Sequence, residues 1–238
     1  MTANTKDLRL SDFSSLVFFT GAGMSAESGV PTYRGNGGVW ESYDWESCAC
    51  QRAFDRDPER VWDFHDMRRQ MTAACEPHTG HRLITEFESA APDTVVVTQN
   101  IDGMHQKAGS HTVHELHGSL WRLRCSGCGA IEDNHELPLS SRRHSCGTYW
   151  RPDIVWFEDS LRLPTIAKAI AAIEASDLLV SIGTSAMVFP AAELPLVAAR
   201  AGATLVEINP EDTPLSDIYH YCLRMTASEG LKRLADDL

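Results

Sequence analysis

The stretch Phe19-Thr-Gly-Ala-Gly-Met-Ser-Ala-Glu-Ser-Gly-Val-Pro-Thr-Tyr-Arg34 decides the predicted fold of this chain. The apolar run from Leu16 to Phe19 leads into it and predicts a short buried strand. Gly21-Ala-Gly23 then opens a Gly-x-Gly-x-x-Gly/Ala pattern, with Ala26 at its third small position. Glycines there allow a sharp turn and let a phosphate approach the backbone at the start of a following helix. The stretch therefore predicts a dinucleotide site, although an ordinary glycine turn fits the same pattern.

Strands and helices alternate along the rest of the chain. We expect helices at about 59–75, 78–88, 164–175 and 190–201, a short helix at the C-terminus, and strands within 93–100, 113–119, 154–157, 177–183 and 204–209. This alternation predicts an α/β fold with a Rossmann-like, doubly wound parallel sheet. Residues 125 to 146 contain three cysteines and few large apolar side chains, so they predict a smaller inserted module.

The composition of the 238 residues limits the classes of partner. The formal net charge of -12 argues against binding to nucleic acid or to a membrane surface, since both favour basic patches. No apolar run reaches the length of a membrane span, and the N-terminus lacks a signal-peptide pattern. We therefore expect a cytoplasmic protein. Its seven cysteines are expected to be reduced thiols or metal ligands.

Small or polar residues follow several of the predicted strands. Gly21-Ala-Gly23, Gly183-Thr-Ser185 and Ile208-Asn209 all stand at the carboxyl ends of strands. In a parallel sheet these ends meet at one edge, which is where α/β proteins bind nucleotides. Gln99-Asn-Ile-Asp102 and His117-Gly-Ser119 would add carboxamide, carboxylate and imidazole groups to the same crevice.

These segments occur in the order found in sirtuins, the NAD-dependent protein-lysine deacylases, and two further motifs strengthen the resemblance. They are Cys125-x2-Cys128 and Arg151-Pro-Asp-Ile-Val-Trp-Phe157. The chain resembles the short bacterial type over about residues 14–236, with features of the class III desuccinylase and deacetylase group. The resemblance implies a large Rossmann-like domain (about 14–35, 76–120 and 152–236) and a small domain (about 36–75 and 121–151).

The resemblance also implies a function, with NAD as cofactor and acyl-lysine proteins or peptides as partners. The products would be nicotinamide, free lysine and O-acyl-ADP-ribose. His117 would be the catalytic general base, a role that suits a side chain titrating near neutral pH. The implied NAD-binding residues are Gly21, Ala22, Gly23, Tyr33, Arg34, Gln99, Asn100, Asp102, Gly183, Thr184, Ser185, Asn209 and Ala227.

Two sets of residues are implied to contact the substrate. Val155, Trp156 and Phe157 would form an edge that pairs with the extended peptide. His65 and Arg68 lie three apart on a predicted helix and share a face. Sirtuins that prefer succinyl- or malonyl-lysine have Tyr and Arg at these positions, so Arg68 would bind the acyl carboxylate. His65 could donate a hydrogen bond, or carry charge at lower pH, so we expect acidic-acyl removal with an altered pH dependence.

The chain departs from the sirtuin pattern at two positions near the implied substrate. Tyr33 stands where the family usually has Phe, which is a mild change. Glu158 stands where a glycine usually follows Trp-Phe. Its side chain would either narrow the peptide groove and select a basic neighbour, or simply point to solvent.

The cysteine module resembles a structural zinc site that lacks one ligand. Cys125 and Cys128 form one pair, and Cys146 matches the last cysteine of the second pair. Arg143 occupies the position of the missing cysteine. His144 or His135 would complete a structural zinc site, or the site is empty and packing alone holds the loop.

Three other functions use part of the same pattern. An NAD glycohydrolase or ADP-ribosyltransferase would need Asn100 and Asp102 but neither Arg68 nor a peptide edge. A non-catalytic NAD-sensing module would not need His117. A dehydrogenase is disfavoured, because no acidic residue that would hold the ribose and no hydride-site motif can be placed.

Overall fold

A computed structural model describes Leu8 and residues 12–33, 37–91 and 93–235 of the chain. The predicted NAD-binding residue Arg34 lies outside the described residues. The strands are β1 (Leu16–Thr20), β2 (Val95–Thr98), β3 (Val113–Glu115), β4 (Gly118–Cys125), β5 (Ile131–Asp133), β6 (Trp150–Ile154), β7 (Leu178–Ile182), β8 (Thr204–Ile208) and β9 (Tyr221–Leu223). The α-helices are α1 (Val39–Ser42), α2 (Trp45–Cys48), α3 (Gln51–Arg56), α4 (Pro58–Ala73), α5 (Thr79–Ala90), α6 (Met104–Ala108), α7 (Leu163–Ala175), α8 (Leu194–Ala201) and α9 (Ala227–Ala235).

The central sheet is parallel and has six strands in the order β3-β2-β1-β7-β8-β9. Phe18 in β1 pairs with Val96 in β2 and with Val180 in β7, and all three are buried. Apolar clusters cover both faces of this sheet, which explains why its strands are continuous apolar runs without alternation. The direction of strand order reverses between β1 and β7, as in doubly wound folds. The predicted fold class is therefore confirmed.

A second, smaller sheet consists of the antiparallel strands β5-β4-β6. It shares an apolar core with helices α1 to α4, in which Trp62 and Leu123 are fully buried. The indole N–H of Trp62 donates to the carbonyl oxygen of Trp150 at 2.7 Å, which ties α4 to the start of β6. This packing determines where α4 places the side chains on its other face.

The predicted strand over 113–119 was wrong as a single element. Strand β3 ends at Glu115 and β4 begins at Gly118, so His117 lies in the turn between them. Gly118 adopts φ +79°, and a Cβ atom there would lie 2.0 Å from the carbonyl oxygen of Asp153. Only glycine permits this conformation and this close approach of β4 to β6.

Other local predictions were corrected at element ends. The segment Ala22–Ser28 is a 3₁₀ helix and not an α-helix, with i to i−3 bonds such as that from the Met24 N–H to the Gly21 carbonyl oxygen. The strand predicted at 154–157 was wrong in position, because β6 covers Trp150–Ile154 and shares only Ile154 with it. Helix α1 and strand β9 were not predicted from the sequence. Among the described residues, no helix combines the length and apolar character needed to cross a bilayer.

Candidate functional site

A cleft of about 770 Å³ opens at the carboxyl edge of the central sheet. It collects residues that follow β1, β2, β7 and β8, together with side chains from α4 and from the loop after β6. The predicted NAD-binding residues that line it are Gly21, Ala22, Gly23, Tyr33, Gln99, Asn100, Gly183, Thr184, Ser185, Asn209 and Ala227. Asp102 lines a small adjoining cavity together with Ala22, Tyr33, Arg68 and Asn100.

The glycines of the opening stretch are required by chain packing at the floor of the cleft. The N–H of Gly23 donates to the carbonyl oxygen of Gly183 at 2.8 Å. A Cβ atom on Gly23 would lie 2.7 Å from the Gly183 Cα, and Gly183 itself has φ +58°. The loops after β1 and β7 therefore touch backbone to backbone, which any side chain would prevent.

Asn100 and Asp102 are buried at the inner end of the cleft. The amide nitrogen of Asn100 donates to the carbonyl oxygen of Gly21 at 2.9 Å and lies 3.4 Å from the Ser25 hydroxyl. The Asp102 carboxylate accepts from the Met104 N–H at 2.9 Å and also bonds to Ser25. Burial raises the pKa of Asp102 above its ordinary value, against the opposing effect of these hydrogen bonds. Ser25, which the sequence reasoning missed, thus joins both polar side chains.

His117 lies half-buried in the wall of the cleft. Its Nδ1 is 2.9 Å from the carbonyl oxygen of Gln99, which can only accept, so Nδ1 carries the hydrogen. This leaves Nε2 as the basic nitrogen. Burial lowers the pKa of His117, while the bond to Gln99 acts in the opposite direction, so the ring is neutral near pH 7. A neutral imidazole whose tautomer is fixed in this way can accept a proton at Nε2.

The opposite end of the cleft is built by β7, β8 and the start of α9. The Thr184 hydroxyl accepts from the Gln99 side chain at 2.9 Å, and its carbonyl oxygen accepts from Asn209 at 2.8 Å. Glu27 reaches the start of α9 and accepts from both the N–H and the hydroxyl of Ser228, next to Ala227. Glu27 had been missed, because nothing in its local sequence indicates a partner 201 residues away.

Helix α4 presents His65 and Arg68 to the cleft, as their spacing predicted. Each is only 3% exposed. The Arg68 guanidinium lies 4.9 Å from the centre of the Tyr33 ring, yet its Nη1 has no hydrogen-bond partner among the described residues. No carboxylate described in the structure forms an ion pair with Arg68 either. A buried guanidinium in this state is well suited to receive an anion.

His65 is neutral at physiological pH. Burial, followed by the charges of Arg68, Arg151 and Arg69, lowers its pKa to about 3. Of the two roles expected from the sequence, the structure favours a hydrogen-bonding role over a charged one. Its Nε2 accepts the indole N–H of Trp156 at 3.1 Å, and its Nδ1 has no partner among the residues described.

The backbone N–H groups of the predicted peptide edge donate hydrogen bonds to other parts of the same chain. The N–H of Val155 donates to the carbonyl oxygen of His117 at 2.9 Å, and that of Trp156 donates to Asp159. The N–H of Phe157 donates to the carbonyl oxygen of Ala49 at 3.1 Å. These bonds explain why regular strand geometry ends before Val155, and they leave the N–H groups unavailable to a peptide.

Glu158 has a left-handed backbone, with φ +73°. This conformation suits glycine and costs other residues about 1–2 kcal/mol. Its carboxylate accepts two hydrogen bonds from Arg52, with the nearest nitrogen at 2.6 Å, and lines the rim of the cleft. Neither of the two roles expected for Glu158 fits this geometry. Its side chain lies at the surface, but it is paired with Arg52 on α3.

Three cysteines and one histidine converge in the smaller sheet region. Cys125, Cys128, Cys146 and His144 each offer a ligand atom, and these atoms all lie within 4.8 Å of one another. Cys125 Sγ and Cys146 Sγ are 3.4 Å apart, near the separation of about 3.8 Å expected for two thiolates on one tetrahedral zinc ion. His135 stacks on Trp121, with ring centres 5.1 Å apart, and is not in the cluster. The donor set fits structural zinc, and none of it lines the cleft.

The fold and cleft define the class of nucleotide-binding α/β proteins, with a neutral histidine in the cleft wall and a buried arginine that forms no ion pair among the described residues. Comparison with known proteins gives the family. A model of the Sir2 family matches residues 21–190. An NAD-dependent protein deacylase from Aquifex aeolicus is 41% identical over 227 residues, which is 94% of this chain and 95% of that protein. The chain therefore belongs to the Sir2 family.

Solved structures agree with this assignment. A Sir2 homologue in complex with NAD superimposes with a TM-score of 0.88 at 38% identity, covering 95% of this chain and 90% of the other. A Sir2 mutant bound to a deacetylated p53 peptide and 3′-O-acetyl-ADP-ribose superimposes with a TM-score of 0.87 at 31% identity, covering 96% and 95%.

Proposed function

We propose that the chain is an NAD-dependent protein-lysine deacylase in which His117 is the general base. One observation supports this role most directly: the Gln99 carbonyl holds the proton on Nδ1, so Nε2 is free to accept one in the cleft. Bound NAD would supply the nicotinamide leaving group and the ribose carbon that receives the acyl oxygen. The products are nicotinamide, free lysine and O-acyl-ADP-ribose.

We assign the two ends of the cleft to the two halves of NAD. Asn100 and Asp102 would hold the nicotinamide carboxamide, because both are buried beside the small adjoining cavity. Thr184, Asn209 and Ala227 would hold the adenosine half at the other end. The link between Gln99 and Thr184 lies between these ends, where the riboses would be placed.

The acyl-lysine would enter between the two domains that the sequence predicted, with the boundaries given above. The bond between Val155 and His117 supports this path, since it couples the loop after β6 to the base. Because the N–H groups of that loop are occupied, a peptide would be held there by contacts other than bonds to these donors. Arg68 would bind a carboxylate at the end of the acyl chain, with succinyl- and malonyl-lysine as the matching substrates.

The principal test is turnover of a panel of acyl-lysine peptides with NAD, read by mass spectrometry. We expect His117→Ala to reduce deacylation by about 10²- to 10⁴-fold while NAD still binds. His111→Ala is the matched control, because His111 is exposed and remote from the cleft. Near-normal turnover by His117→Ala would refute the assignment. NAD cleavage that does not require a peptide would instead indicate a glycohydrolase.

The acyl preference is tested separately with Arg68→Met. We expect the ratio of succinyl to acetyl turnover to fall by about tenfold or more, because one charge-assisted bond is lost. Arg82→Met is the control, since Arg82 is an exposed arginine on another helix. An unchanged ratio would remove Arg68 from the acyl site but would leave the role of His117 intact.

A further inference from the structure

The contact between His65 and Trp156 constrains the position of one hydrogen atom. The indole N–H of Trp156 is always a donor, and it lies 3.1 Å from His65 Nε2. The two ring planes are 21° apart and their centres are separated by 5.7 Å. Nε2 must therefore be the acceptor, and in a neutral ring the hydrogen then sits on Nδ1.

Trp156 is itself held firmly in this orientation. The Arg151 guanidinium lies 3.8 Å from the centre of its ring, and Phe54 packs beside it with ring centres 5.4 Å apart. Arg151 is in turn fixed by an ion pair with Asp159 at 2.6 Å, and Asp159 also accepts the backbone N–H of Trp156. The indole cannot turn away without breaking several buried contacts.

The hydrogen on Nδ1 of His65 has no acceptor among the described residues, and the same is true of Nη1 of Arg68. Both groups are on α4, both are buried, and both residues line the cleft. Two unsatisfied donors one helical turn apart are costly unless a ligand accepts from them. A carboxylate, which has two acceptor oxygens, would satisfy both.

We propose that Trp156 is a positioning residue that holds His65 in its Nδ1–H tautomer, so that His65 and Arg68 donate together to the carboxylate of an acidic acyl group. This proposal rests on the proposed deacylase function. His65 would then donate the hydrogen bond that a tyrosine hydroxyl would donate at the same position. Because His65 is neutral, its tautomer and not its charge determines whether it can donate to the acyl carboxylate.

The tautomer is measured directly by NMR of the whole protein labelled with ¹⁵N-histidine and ¹⁵N-tryptophan. We expect Nδ1 of His65 to be the protonated nitrogen, with a through-hydrogen-bond coupling between Trp156 Nε1 and His65 Nε2. His65→Phe identifies the resonances by their disappearance. Observation of the hydrogen on Nε2 in the unmodified protein would overturn the proposal, and this result does not depend on any variant or on activity.

The effect on substrate choice is measured with Trp156→Phe, which removes the donor but keeps an aromatic ring. We expect the succinyl-to-acetyl ratio of kcat/KM to fall by about tenfold, because His65 can then carry its hydrogen on either nitrogen. In a His65→Tyr background the donor is a hydroxyl without tautomers, so adding Trp156→Phe should change the ratio less than about twofold.

These outcomes separate the proposal from the function on which it rests. A changed tautomer in Trp156→Phe with an unchanged acyl ratio would overturn the role in specificity. An equal fall of the ratio in both backgrounds would also overturn it, because Trp156 would then act by packing alone. If the unmodified protein removes acetyl but not succinyl groups, the proposed acidic-acyl substrate fails, whereas the NMR result still decides the tautomer.

Discussion

Mild acid should destabilise this protein through three buried histidines. His65, His81 and His105 are each at most 3% exposed. Burial lowers the pKa of His65 to about 3, that of His81 to about 2 and that of His105 to about 3, with nearby cationic groups or histidines adding to the effect. All three rings are therefore neutral in the folded protein well below the pH at which they gain a proton in the unfolded chain.

The sign and size follow from proton linkage. Because the folded pKa values are depressed, the unfolded chain binds more protons below about pH 6.5, and stability falls as the pH falls. At about pH 5.5 each histidine lowers the free energy of unfolding by about 1.4 kcal/mol, so the three together lower it by about 4 kcal/mol. This is a large part of the total stability of an ordinary domain.

Urea denaturation at several values between about pH 7.5 and pH 5 measures this effect. The slope of the unfolding free energy should correspond to uptake of about three protons on unfolding near pH 5.5. His81→Asn should lower that slope by about one third, because one of the three buried rings is removed. The comparison between variants cancels pH effects that arise from the cysteine cluster. A slope that is the same in His81→Asn and in the unmodified protein would refute the reasoning.

Three further predictions use single substitutions. His117→Ala should abolish most deacylation yet keep NAD binding, which calorimetry with NAD measures; loss of NAD binding would indicate a structural role instead. Glu158→Gly should be more stable than Glu158→Ala by about 1 kcal/mol in chemical denaturation, because only glycine relieves the left-handed backbone; equal stability would contradict this strain. His144→Ala should lose bound zinc in metal analysis of the purified protein, while Arg143→Ala retains it; zinc retained by both would exclude His144 as a ligand.

Much of the fold and site was predictable, because the signals were local. The apolar runs of β1, β7 and β8 and their polar ends determined the sheet and the position of the cleft. The spacing of His65 and Arg68 placed both on one face of α4, because helical periodicity is a property of the backbone. The residue types at Asn100 and His117 indicated the chemistry through the family resemblance.

Other features depended on contacts between distant segments. The sequence alone favoured His144 as the fourth metal ligand but left His135 open, and the packing of His135 on Trp121 in the folded chain excludes it from the cluster. Ser25 and Glu27 gave no signal, because their partners are far along the chain.

The sequence by itself thus determined most of the long helices and central strands, the sheet class and most of the residues that line the cleft. Only the tertiary structure decided the protonation of His65, the tautomer of His117 and the close contact of Gly23 with Gly183. The physical reason is that hydrogen-bond partners, burial and electrostatic fields come from segments that meet only in the folded chain, whereas periodicity and turn chemistry are local.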